Sequence, residues 1–166
     1  MTQLKFKGNP VNTVGELPKV GEKAKDFQLI AGDLSRVSLD AYKGSKLVLN
    51  IFLSLDTGPC AASVRYFNKA AADLENTKVL CISRDLPFAQ SRFCGAEGID
   101  NVTTLSDFQT GDFGKNYGLE IADGPLAGLH SRVVIVIDEN GVIKYTQQVA
   151  EISNEPDYED ALSALK

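Results

Sequence analysis

Short apolar runs alternate with Ala-rich or amphipathic stretches through the middle of the chain. In order, this pattern predicts a strand over residues 46–53, a helix over 59–75, a strand over 78–83, a helix from about Pro87, and a short strand near 102–105. Strands that alternate with helices in this way are typical of parallel strands joined by crossover helices.

Hairpin and turn patterns flank this central part. Residues 2–14 contain two short alternating segments around Gly8-Asn9-Pro10, which predict an N-terminal β-hairpin. The remaining elements predicted are a hairpin over 27–39, helical turns at 40–44 and 113–117, a hairpin formed by 132–137 and 142–147, and a terminal helix over 156–165. Together they predict an α/β domain with a mixed central β-sheet flanked by helices. This order of elements is the one expected of a thioredoxin-like fold with an N-terminal β-hairpin extension, as a single domain over residues 1–166.

Composition and charge narrow the classes of partner. The 166 residues carry a formal net charge of −5 and no basic run, which argues against nucleic acid as a partner. The N-terminal residues lack a long apolar segment, so no signal peptide is predicted. Apolar runs such as 133–137 are too short to span a membrane. We therefore expect a soluble, cytoplasmic protein, in which the three cysteines are thiols or members of a working redox pair.

Cys60 lies where a buried strand ends, a short loop turns and a helix begins. Pro59 suits the first helical position, because that position needs no backbone donor. Unpaired N–H groups and the helix dipole stabilise an anion there, so we expect the Cys60 thiol to ionise more easily than a free thiol. Thr57, three residues earlier, can place its hydroxyl beside the sulfur, and Arg132 begins a strand that could reach the same end of the sheet. The alternative for Cys60 is a small buried residue packed under a helix.

The other candidate residues carry weaker signals. Cys94 ends a predicted helix just before a Gly-rich loop, an exposed position that suits a second thiol attacking an oxidised first one. Cys81 lies inside an apolar strand and is expected to be an inert core residue. His130 is the sole histidine, so a His-rich metal site is excluded. His130 could act as a catalytic base, but a lone histidine in a loop more often has no catalytic role. There is no Cys-x-x-Cys, which argues against a disulfide isomerase.

Several long segments resemble the peroxiredoxins, specifically the bacterial thiol peroxidase branch of the atypical two-cysteine type. The resemblance covers nearly the whole chain. Its strongest segments are Ser54-Leu55-Asp56-Thr57 with Cys60-Ala61-Ala62-Ser63-Val64-Arg65, then 86–98, 122–129 with Arg132, and Glu155-Pro156-Asp157-Tyr158.

The resemblance implies a role for each candidate. Cys60 would be the peroxidatic cysteine, Cys94 the resolving cysteine, and Thr57 and Arg132 the activating partners. Cys60 would reduce hydrogen peroxide and alkyl or lipid hydroperoxides and become a sulfenic acid. Cys94 would then form an intramolecular disulfide with it, which thioredoxin reduces. The resemblance implies that the protein needs no metal, haem or flavin cofactor. It also implies a homodimer.

Two positions depart from the family pattern. Leu53 stands where peroxiredoxins usually carry a proline, seven positions before the peroxidatic cysteine, and Pro59 stands where close relatives usually carry valine. Pro59 is expected to stiffen the first helical turn. Two alternatives to a peroxidase remain at this point: a redox sensor that passes oxidation to a partner protein by a mixed disulfide, and a binding module with inert thiols.

Overall fold

The computed structural model describes residues 2–166, which contain nine strands and four α-helices. The strands are β1 Gln3–Phe6, β2 Asn9–Asn12, β3 Gln28–Ile30, β4 Arg36–Ser38, β5 Lys46–Ile51, β6 Thr77–Ser83, β7 Thr103–Ser106, β8 Val133–Ile137 and β9 Ile143–Gln148. The helices are α1 Gly58–Ala71, α2 Pro87–Glu97, α3 Asp112–Asn116 and α4 Tyr158–Ser163, and a 3-10 helix covers Leu39–Tyr42. Within the described residues, no helix is long and apolar enough to cross a bilayer.

Seven strands form one mixed sheet in the order β4-β3-β7-β6-β5-β8-β9. β5, β6 and β7 pair in parallel, and the other neighbours pair antiparallel. β1 and β2 form a separate two-stranded hairpin. The predicted α/β class, the mixed sheet and the N-terminal hairpin are confirmed. That the whole chain is one domain stays a prediction.

We call β5 the central strand, because it lies between β6 and β8 and both of its faces are covered. Leu47, Leu49 and Ile51 pack into the core on one face of the sheet, whereas Val48 packs on the other face with residues of α1. A strand buried on both faces reads as a near-continuous apolar run, which explains why the sequence pattern identified it. Asn50 is the polar exception inside this strand and is only 1% exposed.

Three helix boundaries differ from those predicted. α1 begins at Gly58, because Thr57 is the N-cap and its carbonyl accepts the Ala61 N–H at 3.0 Å. α2 continues past Cys94 to Glu97 and ends at Gly98, whose φ of 66° is the left-handed conformation that caps a helix. α4 is shorter than predicted, because the Asp157 side chain caps it by accepting the Asp160 N–H at 3.1 Å.

The segment after β9 fastens the N-terminal hairpin to the rest of the molecule. The Glu151 carboxylate accepts the N–H groups of Lys7 and Gly8, at 2.8 and 3.1 Å, in the turn between β1 and β2. Ile152 donates its N–H to the Lys5 carbonyl at 2.8 Å. The hydrogen bond from the Ser153 hydroxyl, followed by those from the backbone, lowers the pKa of Glu151 from 4.5 to about 2.

This low pKa predicts an acid-sensitive attachment of the hairpin. A carboxyl with a depressed folded-state pKa stabilises the fold above its unfolded pKa, and that stabilisation disappears as the pH falls through the folded value. The wild-type protein should therefore unfold at higher urea concentration than Glu151→Gln at pH 7, and the difference should shrink between pH 4.5 and about pH 2. Urea unfolding followed by circular dichroism measures both.

Glu139→Gln is the matched control, because the Glu139 side chain makes no hydrogen bond or ion pair with any described residue. A gap between wild type and Glu151→Gln that stays constant from pH 7 to pH 2 would contradict the assignment.

Candidate active site

Cys60 lies in the first turn of α1, directly beyond the end of the central strand. Its exposed fraction is 0%, and it packs in the core cluster that also holds Leu53 and Leu55. Leu53, at the position that departs from the family pattern, is thus a core residue. Pro59 is the second residue of α1, after Gly58. Because the sulfur has no exposed surface, a reagent reaches it only when neighbouring side chains move.

Arg132 directly contacts the Cys60 sulfur. It precedes β8, and the pairing of Ile51 with Val133 brings the start of β8 beside the end of β5. The guanidinium is almost fully buried, and its Nη2 donates to Cys60 Sγ at 3.2 Å. Its Nε donates to the Ile152 carbonyl at 3.1 Å. Within residues 2–166, Nη1 is buried and has no hydrogen-bond partner. The site thus places the positively charged Arg132 guanidinium against the Cys60 sulfur and leaves its Nη1 group without an acceptor.

The Thr57 hydroxyl does not contact the sulfur. It donates to the Ser54 carbonyl at 2.9 Å and so closes the turn that leads into α1. The prediction that this hydroxyl lies beside the sulfur is not met, because the hydroxyl donates to the carbonyl of the turn instead. In this arrangement Thr57 shapes the loop through its side chain and caps the helix through its backbone.

Asp85, which the sequence analysis missed, anchors the loop that leads into α1. Its carboxylate accepts the Ser54 hydroxyl at 2.7 Å, the Leu55 N–H at 2.8 Å and the Ser83 hydroxyl at 2.7 Å. Asp85 follows β6, the parallel neighbour of β5. The carboxyl ends of parallel strands meet at one edge of a sheet, and that position was the signal available in the sequence.

Cys94 lies in the last turns of α2 and is half-buried, rather than exposed as predicted. Burial raises the pKa of the Cys94 thiol, with the Thr104 side chain acting in the opposite direction. Its backbone carbonyl accepts the N–H groups of Gly98 and Ile99, the latter at 2.9 Å, so it takes part in the helix cap. Cys60 and Cys94 are both free thiols in this structure.

Polar contacts tie the two cysteine-bearing helices together. Arg65 of α1 pairs with Glu97 of α2, and Arg92 of α2 lies 3.7 Å from Asp56 in the loop before α1. These pairs are largely solvent-exposed, so each contributes little to stability. They nevertheless show that α2 and the loop before α1 are in direct contact at the surface.

Cys81 and His130 lie outside this constellation. Cys81 is fully buried in β6 as predicted, and that burial, more than any other influence, raises its pKa to about 12. His130 Nε2 lies 2.8 Å from the Asp107 carboxylate in a fully buried pair. The Asp107 carboxylate also accepts the Gly114 N–H at 3.1 Å. His130 therefore has a structural partner, and the hydrogen bonds of the described residues include none between it and a cysteine.

The mixed sheet, with a buried cysteine–arginine pair beyond its central strand, defines a thiol-based oxidoreductase domain. A family model described as Redoxin matches residues 19–162. The chain is 57% identical to a thiol peroxidase of Corynebacterium glutamicum and 53% identical to one of Mycobacterium tuberculosis, over 99% of each chain. The chain belongs to the redoxin family, as a peroxiredoxin of the thiol peroxidase branch.

Solved structures agree with this assignment. A peroxiredoxin-like protein from Aquifex aeolicus superposes with a TM-score of 0.92 at 38% identity, covering 99% of this chain and 96% of that one. A thiol peroxidase from Chromobacterium violaceum gives a TM-score of 0.87 at 22% identity, covering 97% and 93%, which shows the shared fold. The thioredoxin-like fold predicted from the sequence is therefore confirmed, and the chain is a thiol-dependent peroxidase.

The Asp85 network predicts how the loop depends on one carboxylate. Asp85→Ala leaves the Ser54 hydroxyl and the Leu55 N–H without their acceptor, so we expect a loss of about 1–3 kcal/mol in the free energy of unfolding. Amide hydrogen exchange over residues 54–57 should also accelerate. Asp73→Ala, which removes an exposed carboxylate beyond α1, is the control. Unchanged exchange over 54–57 in Asp85→Ala would refute this role.

Proposed function

We propose that Cys60 is the peroxidatic cysteine of this enzyme and that Arg132 activates it. The observation that carries the proposal is the 3.2 Å contact between Arg132 Nη2 and Cys60 Sγ, together with the unpartnered, buried Nη1 of the same guanidinium. A buried cation stabilises negative charge on the sulfur. The free Nη1 supplies a donor for an oxygen of an incoming peroxide. Among residues 2–166, the hydrogen bonds include no other guanidinium that donates to the Cys60 sulfur.

In the first step, the Cys60 thiolate attacks the terminal oxygen of a hydroperoxide. The O–O bond breaks, the sulfur is oxidised to a sulfenic acid, and the leaving oxygen takes a proton and departs as water or an alcohol. Negative charge moves from sulfur to the leaving oxygen during this step. Arg132 can follow that movement with two N–H groups of one rigid plane, which is an electrostatic role. Thr57 supports it by holding the loop that leads into α1.

In the second step, Cys94 resolves the sulfenic acid. Its sulfur gives up a proton and attacks Cys60 Sγ, a disulfide forms as the S–O bond breaks, and the hydroxyl of the sulfenic acid takes up a proton and leaves as water. Because burial raises the pKa of Cys94, this thiol is a poorer nucleophile toward peroxide than an exposed thiol while α2 is folded. Unwinding of α2 exposes Cys94 and removes that effect. The hydrogen bond that Arg132 donates to the Cys60 sulfur favours Cys60 as the first sulfur to react.

Thioredoxin is the proposed reductant, and it returns the Cys60–Cys94 disulfide to two thiols by disulfide exchange. The proposed substrates are hydrogen peroxide and alkyl or lipid hydroperoxides. We also propose a homodimer in the cytoplasm.

Turnover of the cysteine variants tests this function. NADPH consumption in the presence of thioredoxin, thioredoxin reductase and hydrogen peroxide should continue for many equivalents with the wild type. It should be abolished in Cys60→Ser and in Cys94→Ser, and Cys94→Ser should consume only about one equivalent of hydrogen peroxide, because the sulfenic acid then has no internal thiol partner and no disulfide forms for thioredoxin to reduce. Cys81→Ser is the matched control and should retain turnover.

Two results would contradict the proposal. Full turnover in Cys60→Ser would remove the assigned nucleophile. A wild type that stops after one equivalent would favour the alternative, a redox sensor that passes oxidation to a partner protein.

A further inference from the structure

A chain of buried polar groups lies beneath the first turn of α1. We propose that Ser63 is a positioning residue that sets how readily this turn unwinds, and therefore how fast oxidised Cys60 reaches Cys94. The inference rests on the proposed function and deepens it. Ser63 lies in a segment that resembles the family, but the sequence alone assigned it no role.

The chain of contacts connects four buried residues. The Ser63 hydroxyl donates to the backbone carbonyl of Cys60 at 2.7 Å. Asn50 Nδ2 donates to Ser63 Oγ at 3.1 Å and also lies 3.7 Å from Cys81 Sγ. Asn50 is 1% exposed, and Ser63, Cys60 and Cys81 are 0% exposed. A chain of polar contacts thus runs through the core on this side of the sheet and ends on the peptide group of the peroxidatic cysteine.

Asn50 fixes the direction in which the Ser63 hydroxyl points. A hydroxyl has one proton to donate and lone pairs to accept. Because Asn50 Nδ2 is a donor, it occupies a lone pair of Ser63 Oγ and leaves the proton for the Cys60 carbonyl. The same amide nitrogen faces the sulfur of Cys81, a thiol that burial keeps protonated.

The bond between Ser63 and Cys60 exists only while the first turn is wound. If residues 58–60 unwind so that Cys60 can approach Cys94, the Cys60 carbonyl leaves, whereas Ser63 stays in the body of the helix. The hydroxyl then remains in a place without solvent exposure and has lost its acceptor. A buried polar group without a partner is unfavourable, so the bond opposes unwinding.

The stability of this turn decides the fate of the sulfenic acid. In one reaction, Cys60 sulfenic acid and the Cys94 thiol give a disulfide and water. In the competing reaction, the sulfenic acid and a second hydroperoxide give Cys60 sulfinic acid and water or an alcohol. The first reaction needs the unwound turn, whereas the second proceeds in the wound one. Ser63 therefore shifts the balance toward over-oxidation.

Ser63→Ala tests the inference. Quenched-flow mixing with hydrogen peroxide, followed by mass spectrometry of the Cys60 peptide, gives the rates of sulfenic, disulfide and sulfinic formation separately. We expect disulfide formation to accelerate roughly tenfold, the equivalent of one buried hydrogen bond. The first oxidation should stay within about twofold of wild type, because the wound turn still predominates and Arg132 still contacts the sulfur. The sulfinic fraction at a given peroxide concentration should fall.

Val64→Ala is the matched control, since Val64 is equally buried in the next position of α1 and its side chain has no polar group. A general loss of core stability would accelerate the disulfide step in both variants, whereas the proposed role confines the effect to Ser63→Ala. Asn50→Ala removes the orienting donor and should accelerate the step about two- to threefold, which provides an independent test if Ser63→Ala does not fold.

Wild-type disulfide kinetics in Ser63→Ala, or equal acceleration in Val64→Ala, would overturn the inference while leaving the peroxidase function intact. Failure of the wild type to form the Cys60–Cys94 disulfide would instead refute the proposed mechanism, and the role of Ser63 with it.

Discussion

The buried guanidinium of Arg132 imposes the strongest constraint on this structure. A charge removed from water must be met by hydrogen-bond acceptors, or its burial is prohibitively unfavourable. Here the acceptors are the Ile152 carbonyl, which accepts from Nε, and the Cys60 sulfur, which accepts from Nη2. The segment that supplies Ile152 is held in turn by the N-terminal hairpin. The extension is thus part of the framework that positions the arginine.

The same site combines a rigid half with a half that must move. Arg132 is fixed by the sheet, and Asp85 anchors the loop before α1 to the neighbouring strand. The first turn of α1, by contrast, depends on a few local bonds, among them the bond from Ser63 to the Cys60 carbonyl. A fixed activator and a releasable nucleophile are what a two-step thiol mechanism requires. Pro59, at the second position of the helix, limits the entropy that unwinding of this turn gains.

The residues that sequence analysis located are those whose position follows from strand and helix order. Cys60 at the end of a buried strand, and Arg132 at the start of the antiparallel neighbour, are consequences of topology. The contacts of Thr57, Asp85 and Ser63 depend on the direction of short side chains in three dimensions, which spacing along the chain does not determine. Asn50, a polar residue inside an apolar strand, was a signal visible in the sequence that this part of the core contains a polar contact.

The extent of α2 was predicted incorrectly for a related reason. Gly95 after Cys94 suggested a helix end, but a glycine can also continue a helix at a modest loss of stability. The left-handed conformation that ends the helix falls on Gly98. Cys94 is consequently held in a folded, half-buried turn, and its release becomes part of the proposed reaction.

The rate constant for oxidation of Cys60 by hydrogen peroxide tests the central claim most directly. It should be measured by stopped-flow or quenched-flow mixing in wild type, Arg132→Met and Arg84→Met, since Arg84 is a partly buried arginine that pairs with Glu120 and does not contact the sulfur. Loss of the contact with Arg132 should lower the rate constant roughly 100-fold, whereas Arg84→Met should leave it within a few-fold of wild type. An Arg132→Met variant that folds and reacts at the wild-type rate would contradict the account.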